Sequence, residues 1–371
     1  MAIASRVIVR WPRSKWERLP RREFSGTGGR RLSEQQKQAR HGILAMLISV
    51  VLISLVGILV IEQFRFDVVD REFAARLTLL QRQRLAHPER KLFLVVGSSR
   101  MVMAFSPEQL PTYYPAGENS TPVTVFNFSH LGAGPVMNQM TLTRLDRAGI
   151  HPDWAILEVM PGFLPKENAA LVTSVSTFSD VWFVHRYYRP GELWWEYLKH
   201  RTVGLPNLAR RATGSEEDDA AACYEPLGGA KFVRVAVDPD TKRRLLAAQE
   251  RNFGFRLRDL KVSAGNDRAL RDSVRMLQRH GAEVCLLLSP EQEEFTRMYG
   301  PGKQAWFEQY IQQLRNDLQV PMIDARDWLE PQDFEDGHHA LRRGQEKFTH
   351  RFGEQVIRPM IEGNSCSKAG P

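Results

Sequence analysis

The sequence predicts an α/β protein in which a parallel sheet carries helices on both faces, preceded by one membrane-spanning helix. Short apolar runs, typical of buried strands, alternate with segments of helical periodicity, and this alternation is the pattern of parallel sheets. The predicted strands are residues 92–96, 123–128, 155–159, 283–288 and, more weakly, 321–325. The clearest helical segments are residues 266–280, 304–318 and 341–357.

The predicted membrane span is residues 42–61 (GILAMLISVVLISLVGILVI), twenty residues without a charge. At about 1.5 Å per residue, such a helix is about 30 Å long, the thickness of a bilayer's hydrocarbon core. The run is longer than a signal-peptide core, and no small-residue cleavage site follows it. Its unbroken apolar character argues against a buried core helix. The sequence therefore predicts a single uncleaved anchor.

The net charge of +8 lies entirely in the N-terminal tail. Residues 1–41 hold eleven basic and three acidic side chains, while the rest of the chain holds forty of each. The basic composition therefore does not indicate a nucleic-acid-binding domain. A basic tail before an anchor stays in the cytoplasm, which places the remaining domain on the other side, in the periplasm of a bacterium with an inner membrane. We expect the tail to be disordered and to touch anionic lipid at most.

The rest of the chain is predicted to contain a stalk helix over residues 62–88, an α/β domain over 89–362 and a disordered tail over 363–371. An insertion, residues 163–262, interrupts the strand–helix alternation. It contains the acidic run 216–219, interpreted as a solvated loop. Its aromatic residues form a lid, a lipid-facing patch or the insertion's own small core, and the sequence does not decide between these. These residues are Trp182, Phe183, Tyr187, Tyr188, Trp194, Trp195 and Tyr197.

Polar blocks follow the first two predicted strands, residues 97–100 (GSSR) and 127–134 (NFSHLGAG). In an open parallel sheet, ligands bind beyond the carboxyl ends of the strands. A serine in the first block, at the start of a helix, has backbone N–H donors nearby and is a candidate nucleophile. Taken alone, each block is equally compatible with a plain strand-to-helix turn.

A third block, residues 333–339 (DFEDGHH), precedes the last helical segment. Asp336 and His339 are three residues apart, so the carboxylate can orient an imidazole that takes a proton from a serine. One alternative is a polar loop in which the aspartate caps the helix. The other is a metal site, for which the block is rich in ligands. The candidate ligands are Asp333, Glu335, Asp336, His338 and His339.

Together, the three blocks resemble the SGNH (GDSL-like) hydrolase and acyltransferase superfamily. The resemblance implies a flavodoxin-like three-layer α/β/α fold without a metal or other cofactor. It places Ser99 at the nucleophile, Asp336 and His339 at the acid and base, and Gly132 beside Ser99 as a donor to the oxyanion. Gly344, five residues past His339, fits the same pattern. His338 would need Glu335 as its partner.

A membrane-anchored GSS-type chain also looks like extracytoplasmic proteins that modify envelope polymers, such as the D-alanylation protein of teichoic acids and the alginate O-acetylation proteins. The resemblance therefore implies a serine esterase or O-acyltransferase acting on an acyl ester or polysaccharide. Its partners would be a membrane-bound acyltransferase or an envelope-assembly protein. The alternative is a catalytically inactive binding or scaffold domain on the same fold.

One departure from the family supports that alternative. The family carries G-x-N-D after its third strand and takes an oxyanion donor from the asparagine, whereas this chain has residues 160–163 (MPGF). Loss of one such donor costs about 10²–10³ in rate. Arg100 and His130 are the candidate substrate-binding residues, and Arg100 pairing structurally with Glu158 is the other possibility.

Overall fold

The computed structural model describes residues 34–64, 66–110, 122–212 and 220–363. The chain divides into two compact units, Met1–Ser54 and Leu55–Pro371. The larger part of the basic tail, the acidic run 216–219 and residues 364–371 lie outside the described residues, so the predictions for them stay predictions.

Five parallel strands form one sheet in the order β2-β1-β3-β4-β5. This is the flavodoxin-like order, and it confirms the predicted fold class. Each predicted strand is present to within one residue at either end. The strands are β1 (Lys91–Val96), β2 (Val123–Asn127), β3 (Trp154–Glu158), β4 (Glu283–Leu288) and β5 (Met322–Asp324).

Helices α1 to α15 follow one another along the described chain, with short 3₁₀ and π segments between some of them. In order they are Glu34–Phe64, Phe66–Val69, Arg71–Ala86, Ser99–Ala104, Pro135–Arg147, Ala169–Val175, Phe178–Val184, Glu192–Ala212, Pro239–Gln249, Phe255–Arg258, Ala264–Arg279, Glu293–Thr296, Lys303–Leu318, Arg342–Phe352 and Arg358–Ile361.

Alternation along β1 produces the two core layers. Leu92 and Leu94 point into one apolar cluster, which α3, α5, α11 and α13 complete. Phe93 and Val95 point into the opposite cluster, which α4, α14 and α15 complete. Because successive side chains of a strand face opposite sides, a wholly apolar strand must be covered on both faces. The carboxyl ends of the strands are thereby left as the open edge of the sheet.

Helix α3 differs from the predicted stalk because it is part of the domain. Asp70 caps its start by accepting a hydrogen bond from the Phe73 N–H at 3.0 Å. Phe73 and Leu80 are fully buried in the core. The buried Arg76 side chain donates to the main-chain oxygens of Asn127, at 2.6 Å, and Gly228, at 3.2 Å. Arg76 thus joins the helix to the end of β2 and to the insertion.

The aromatic residues of the insertion divide into two groups. Tyr187, Tyr188 and Tyr197 are buried in a small apolar cluster that the insertion shares with α5 and α11. Trp182 and Trp195 are exposed. The tyrosines therefore belong to a core that the insertion shares with the α/β domain, and the two tryptophans lie outside it.

Helix α1 extends beyond the predicted span at both ends. Its stretch Glu34–Gln63 contains an 18-residue window of mean hydropathy 3.1. It is long and apolar enough to cross a membrane.

Candidate active site

The nucleophile loop joins β1 to the short helix α4, of which Ser99 is the first residue. The Ser98 hydroxyl caps this helix by accepting from the Arg100 N–H at 3.3 Å. The Ser98 N–H in turn donates to Glu158 Oε2 at 2.5 Å. A side chain at Gly97 would place its Cβ 2.6 Å from the same oxygen, so this position requires glycine. The sharp turn into α4 therefore leaves the Ser99 hydroxyl at the open edge of the sheet.

Ser99, His339 and Asp336 form a continuous hydrogen-bonded relay. His339 Nε2 lies 2.7 Å from Ser99 Oγ, and His339 Nδ1 lies 2.7 Å from Asp336 Oδ2. Asp336 Oδ1 accepts from the backbone N–H of His339 at 2.9 Å, which fixes the carboxylate beneath the ring. Residues 240 positions apart thus adopt the nucleophile, base and orienting-acid geometry of serine hydrolases.

The surroundings keep Asp336 ionised. Burial on its own raises the pKa of this carboxyl, but the hydrogen bond with His339 and the nearby imidazoles of His338 and His339 lower it well below its usual range. Gln249, at the end of α9, donates to Asp336 Oδ2 at 2.6 Å. An ionised aspartate at this place holds the imidazole in the tautomer that accepts a proton from Ser99.

His338 is a structural neighbour of the relay. Burial, together with the adjacent His339, lowers the pKa of His338 well below its ordinary value, so it stays neutral. Its ring packs against Phe295 and Phe253, with centroids 4.7 and 5.6 Å apart. Of the two histidines, His339 is therefore the one placed to act as a base toward Ser99.

Glu335, the partner that the sequence analysis assigned to His338, contacts a different residue. Its carboxylate lies 3.4 Å from Arg234. Burial, followed by repulsion from Asp336, raises the pKa of this carboxyl. Glu335 therefore does not orient His338 as an acid–base partner.

The structure brings only part of the predicted metal-ligand set together. The ligand atoms of Asp336, His338 and His339 lie within 4.8 Å of one another. Asp333 has other partners, because its carboxylate accepts from Lys347 at 3.0 Å and from the Glu330 N–H at 3.0 Å. In the described residues, Asp146, His151 and His280 form a second group of the same kind.

A buried charge network lies beneath the nucleophile loop. Glu158, the last residue of β3, also accepts from the Ser289 hydroxyl at 2.6 Å. Arg100 pairs with Glu291 at 2.7 Å, and its guanidinium lies 4.7 Å above the Phe295 ring. Burial lowers the pKa of Arg100, but Glu291 and then Glu158 raise it by more. The Arg100 side chain is buried in this network, which favours a structural role over the predicted contact with substrate.

His130, the other residue predicted to bind substrate, is likewise held in a charge network. Its Nδ1 lies 3.3 Å from Glu72, its Nε2 lies 3.5 Å from Asp70, and the ring is buried. Burial lowers the pKa of His130, but the Glu72 and Asp70 carboxylates raise it by more. Asp70 also accepts from Arg144 at 2.6 Å. His130 therefore joins the loop after β2 to the start of α3.

Gly132 lies on this same loop, next to the nucleophile loop. The His130 N–H donates to Gly97 O at 2.9 Å, which ties the two loops together. Gly132 has φ 72°, and a Cβ there would lie 2.8 Å from Leu171 Cδ2. Glycine is therefore needed at this position. Because its loop lies next to the nucleophile loop, Gly132 remains the candidate for the second oxyanion donor.

Asn127, at the end of β2, does not take the place of the family's asparagine. Asn127 is buried and donates to the main-chain oxygens of Met101, at 2.9 Å, and Phe105, at 2.8 Å. After β3 the chain enters a 3₁₀ turn, Pro161–Phe163, that begins with a residue lacking an N–H. Residues 160–163 (MPGF) therefore offer no side-chain donor at the family's asparagine position.

Three residues around the relay were not identified from the sequence, and Glu158 was identified only as a possible partner of Arg100. The sequence does indicate a structural role for Glu158, because it is a charged residue in an otherwise apolar strand and a buried charge needs a partner. No pattern in the sequence indicates a role for Ser289, Glu291 or Gln249. They approach from distant parts of the chain.

Known proteins resemble the chain only remotely. Residues 60–199 match a family described as "Protein of unknown function (DUF1574)". No curated protein sequence matches the chain. Among solved structures, TesA shares 11% identity at a TM-score of 0.33, over 71% of this chain and 97% of its own. A putative acylhydrolase from Bacteroides fragilis shares 11% identity at a TM-score of 0.34, over 76% of this chain and 96% of its own. The function is therefore argued from the site itself.

Proposed function

We propose that the protein is a membrane-anchored serine esterase or O-acyltransferase. The observation that carries this proposal is the Ser99–His339–Asp336 relay, with both hydrogen bonds at 2.7 Å. It lies at the carboxyl ends of the strands, where open α/β sheets bind their ligands.

The chemistry follows from the relay. Ser99 Oγ attacks the acyl carbonyl carbon while His339 Nε2 takes the hydroxyl proton, and Asp336 stabilises the resulting imidazolium. The tetrahedral intermediate collapses by breaking the ester C–O bond, and His339 returns its proton to the leaving alcohol. The acyl group is then attached to Ser99. Water, or a hydroxyl of an acceptor, attacks the acyl-serine by the same steps in reverse.

Backbone donors would stabilise the oxyanion. The Ser99 N–H is in the first turn of α4, where an N–H has no intrahelical partner. We assign the second donor to Gly132, whose loop is hydrogen-bonded to the nucleophile loop. With two donors instead of three, we expect slower acylation than in an enzyme that also supplies an asparagine.

The substrate and location are part of the same proposal. Helix α1 is the anchor, and the basic residues before it keep that end in the cytoplasm. The relay then faces the extracytoplasmic space. An acyl ester of an envelope or exported polysaccharide, or of a lipid, is the substrate class that suits this place and the resemblance to envelope-modifying proteins. A membrane-bound acyltransferase would be the partner that supplies acyl groups.

A catalytically inactive binding domain is the second candidate. The specific observation in its favour is the turn directly after β3, where residues 160–163 (MPGF) contain no asparagine and the 3₁₀ turn begins with Pro161. Such a domain would keep the fold and the exposed edge of the sheet at Ser99 but would not accumulate an acyl-serine.

Labelling with a fluorophosphonate probe separates the two candidates. The full chain in detergent is treated with the probe, and the adduct is located by peptide mass spectrometry. The proposal expects an adduct on Ser99 that is absent in Ser99→Ala. Ser98→Ala is the matched control, because its hydroxyl only caps α4, and this variant should still be labelled at Ser99. A folded wild-type chain without any adduct would favour the binding domain.

A further inference from the structure

The end of helix α1 is hydrogen-bonded to the insertion. Ile58 and Glu62, one helical turn apart, are both buried. Glu62 is the first charged residue after the apolar run. Its carboxylate accepts from Arg201 at 2.6 Å and from the Tyr197 hydroxyl at 2.8 Å, both on α8. The same carboxylate accepts from the Phe178 N–H, at the start of α7, at 2.7 Å. Both helices are therefore held at the carboxyl end of the apolar run.

An exposed apolar surface lies on these two helices. Trp182 is 66% exposed and Trp195 is 68% exposed, while Phe178 and Leu198 are each nearly half exposed. Trp195 and Leu198 are three residues apart and so lie on one side of α8. Trp194 joins α7 to α8, with ring centroids 5.4 Å from Phe178 and 6.3 Å from Trp182. We call Phe178, Trp182, Trp195 and Leu198 the aromatic face.

Basic side chains flank the aromatic face. Arg147, Arg186 and Lys199 are each about half exposed. Arg186 also lies over the Phe183 ring at 4.4 Å. Tryptophan at the level of the lipid headgroups, with basic residues nearby, is the composition found at membrane interfaces.

We propose that the aromatic face lies in the headgroup region of the bilayer and holds the domain against the membrane. This rests on the proposed function in one respect, since it requires α1 to be a membrane span. The occupant we assign is the lipid surface, because Glu62 ties the face to the last turns of the apolar run. Leu59 and Val60, in those turns, are themselves exposed and apolar. The anchor and the aromatic face together would fix the orientation of the site relative to the membrane.

The test is lipid quenching of fluorophores placed at single sites in the full chain. Cys223 and Cys366 are changed to serine, and the buried Cys285 is kept. Trp182→Cys and Trp195→Cys are labelled with nitrobenzoxadiazole and reconstituted into anionic phospholipid vesicles, with or without brominated chains. We expect brominated lipid to reduce the fluorescence at both positions. Leu198→Cys is the replacement reporter should one variant fail to fold.

Matched controls come from apolar positions with similar exposure and no tie to α1. Phe255→Cys replaces a side chain that is 64% exposed, and Leu85→Cys one that is 82% exposed. Neither label should be quenched. Quenching at all four positions would contradict a defined face, and the absence of quenching at 182 and 195 would mean that water or a partner protein covers it.

A label within the apolar run separates this proposal from the proposed anchor. Val50→Cys should be quenched if α1 is a membrane span. Quenching at 50 but not at 182 or 195 would overturn the aromatic face and leave the anchor intact. No quenching at 50 would overturn both. The catalytic proposal does not depend on either result, because fluorophosphonate labelling of Ser99 is measured in detergent.

Discussion

The acid–base side of the candidate site and its oxyanion side are supported in different ways. His339 and Asp336 lie three residues apart on one short loop, and the backbone N–H groups of His338 and His339 donate to the Asp336 carboxylate. The loop carrying Gly132 is held from outside, by the Asp70 and Glu72 carboxylates at the start of α3. The first arrangement is local in sequence, whereas the second depends on the segment that follows the anchor. We therefore expect substitutions on the two sides to have different effects on the reaction rate.

The largest effect should come from the reacting groups. Ser99→Ala and His339→Ala should each lower kcat for ester hydrolysis by about 10⁶-fold, because the nucleophile and its base act only together. The double variant should be no slower than either single variant. Steady-state kinetics with a chromogenic acetyl ester measure this. Losses that multiply in the double variant would show that the two residues act independently.

The orienting carboxylate should matter less than the reacting groups. Asp336→Asn should lower kcat by about 10⁴-fold, since an amide favours the wrong imidazole tautomer. Glu335→Gln is the matched control, because Glu335 pairs with Arg234 and should leave the rate close to wild type. Equal losses in the two variants would mean that charge in the loop, and not orientation of His339, decides the rate.

The oxyanion side should give a smaller and distinct effect. Glu72 contacts His130 and accepts from the Leu131 N–H at 3.4 Å, so Glu72→Gln should let the Gly132 loop shift. Displacement of a catalytic or positioning group by about 1 Å lowers the rate by up to about 10²-fold. We expect a loss in kcat of that order, with an unchanged pH–rate profile. The control is Glu89→Gln, at an exposed carboxylate that pairs with Arg90. A shifted profile would place Glu72 in the acid–base chemistry.

The smallest effect concerns stability and pH. The pKa of His130 is raised above its ordinary 6.5, so its contribution to stability is fully present below pH 6.5 and lost as the pH rises through the raised value. Urea unfolding of the full chain in detergent should show a decline in stability over that range that is weaker in His130→Gln. An identical decline in the variant would mean that another group causes it.

The acid–base side could be predicted from the sequence because its information is local. The block at 333–339 contains both the candidate acid and the candidate base. A serine that closely follows a buried strand lies at the carboxyl edge of a parallel sheet. The strands were predictable for a similar reason, since short apolar runs bounded by polar turns have a clear signal.

The remaining features depend on contacts between distant segments. In the sequence, Arg100 and His130 are polar residues that follow predicted strands. Their burial in charge networks depends on Glu291 and on the start of α3, which are distant in sequence. Helix α3 has an apolar face, which is equally compatible with a stalk or with packing on a sheet. Only the tertiary structure shows that Phe73 lies in the core.

The central claim is that Ser99 is an activated nucleophile that carries an acyl group. The most direct measurement is intact-protein mass spectrometry of the full chain in detergent after brief mixing with p-nitrophenyl acetate. Peptide mapping then locates the modification. The account predicts one added acetyl group, on Ser99, which decays with time and is absent in both Ser99→Ala and His339→Ala. A folded chain that gains no acetyl group, or gains it equally in Ser99→Ala, would contradict the claim.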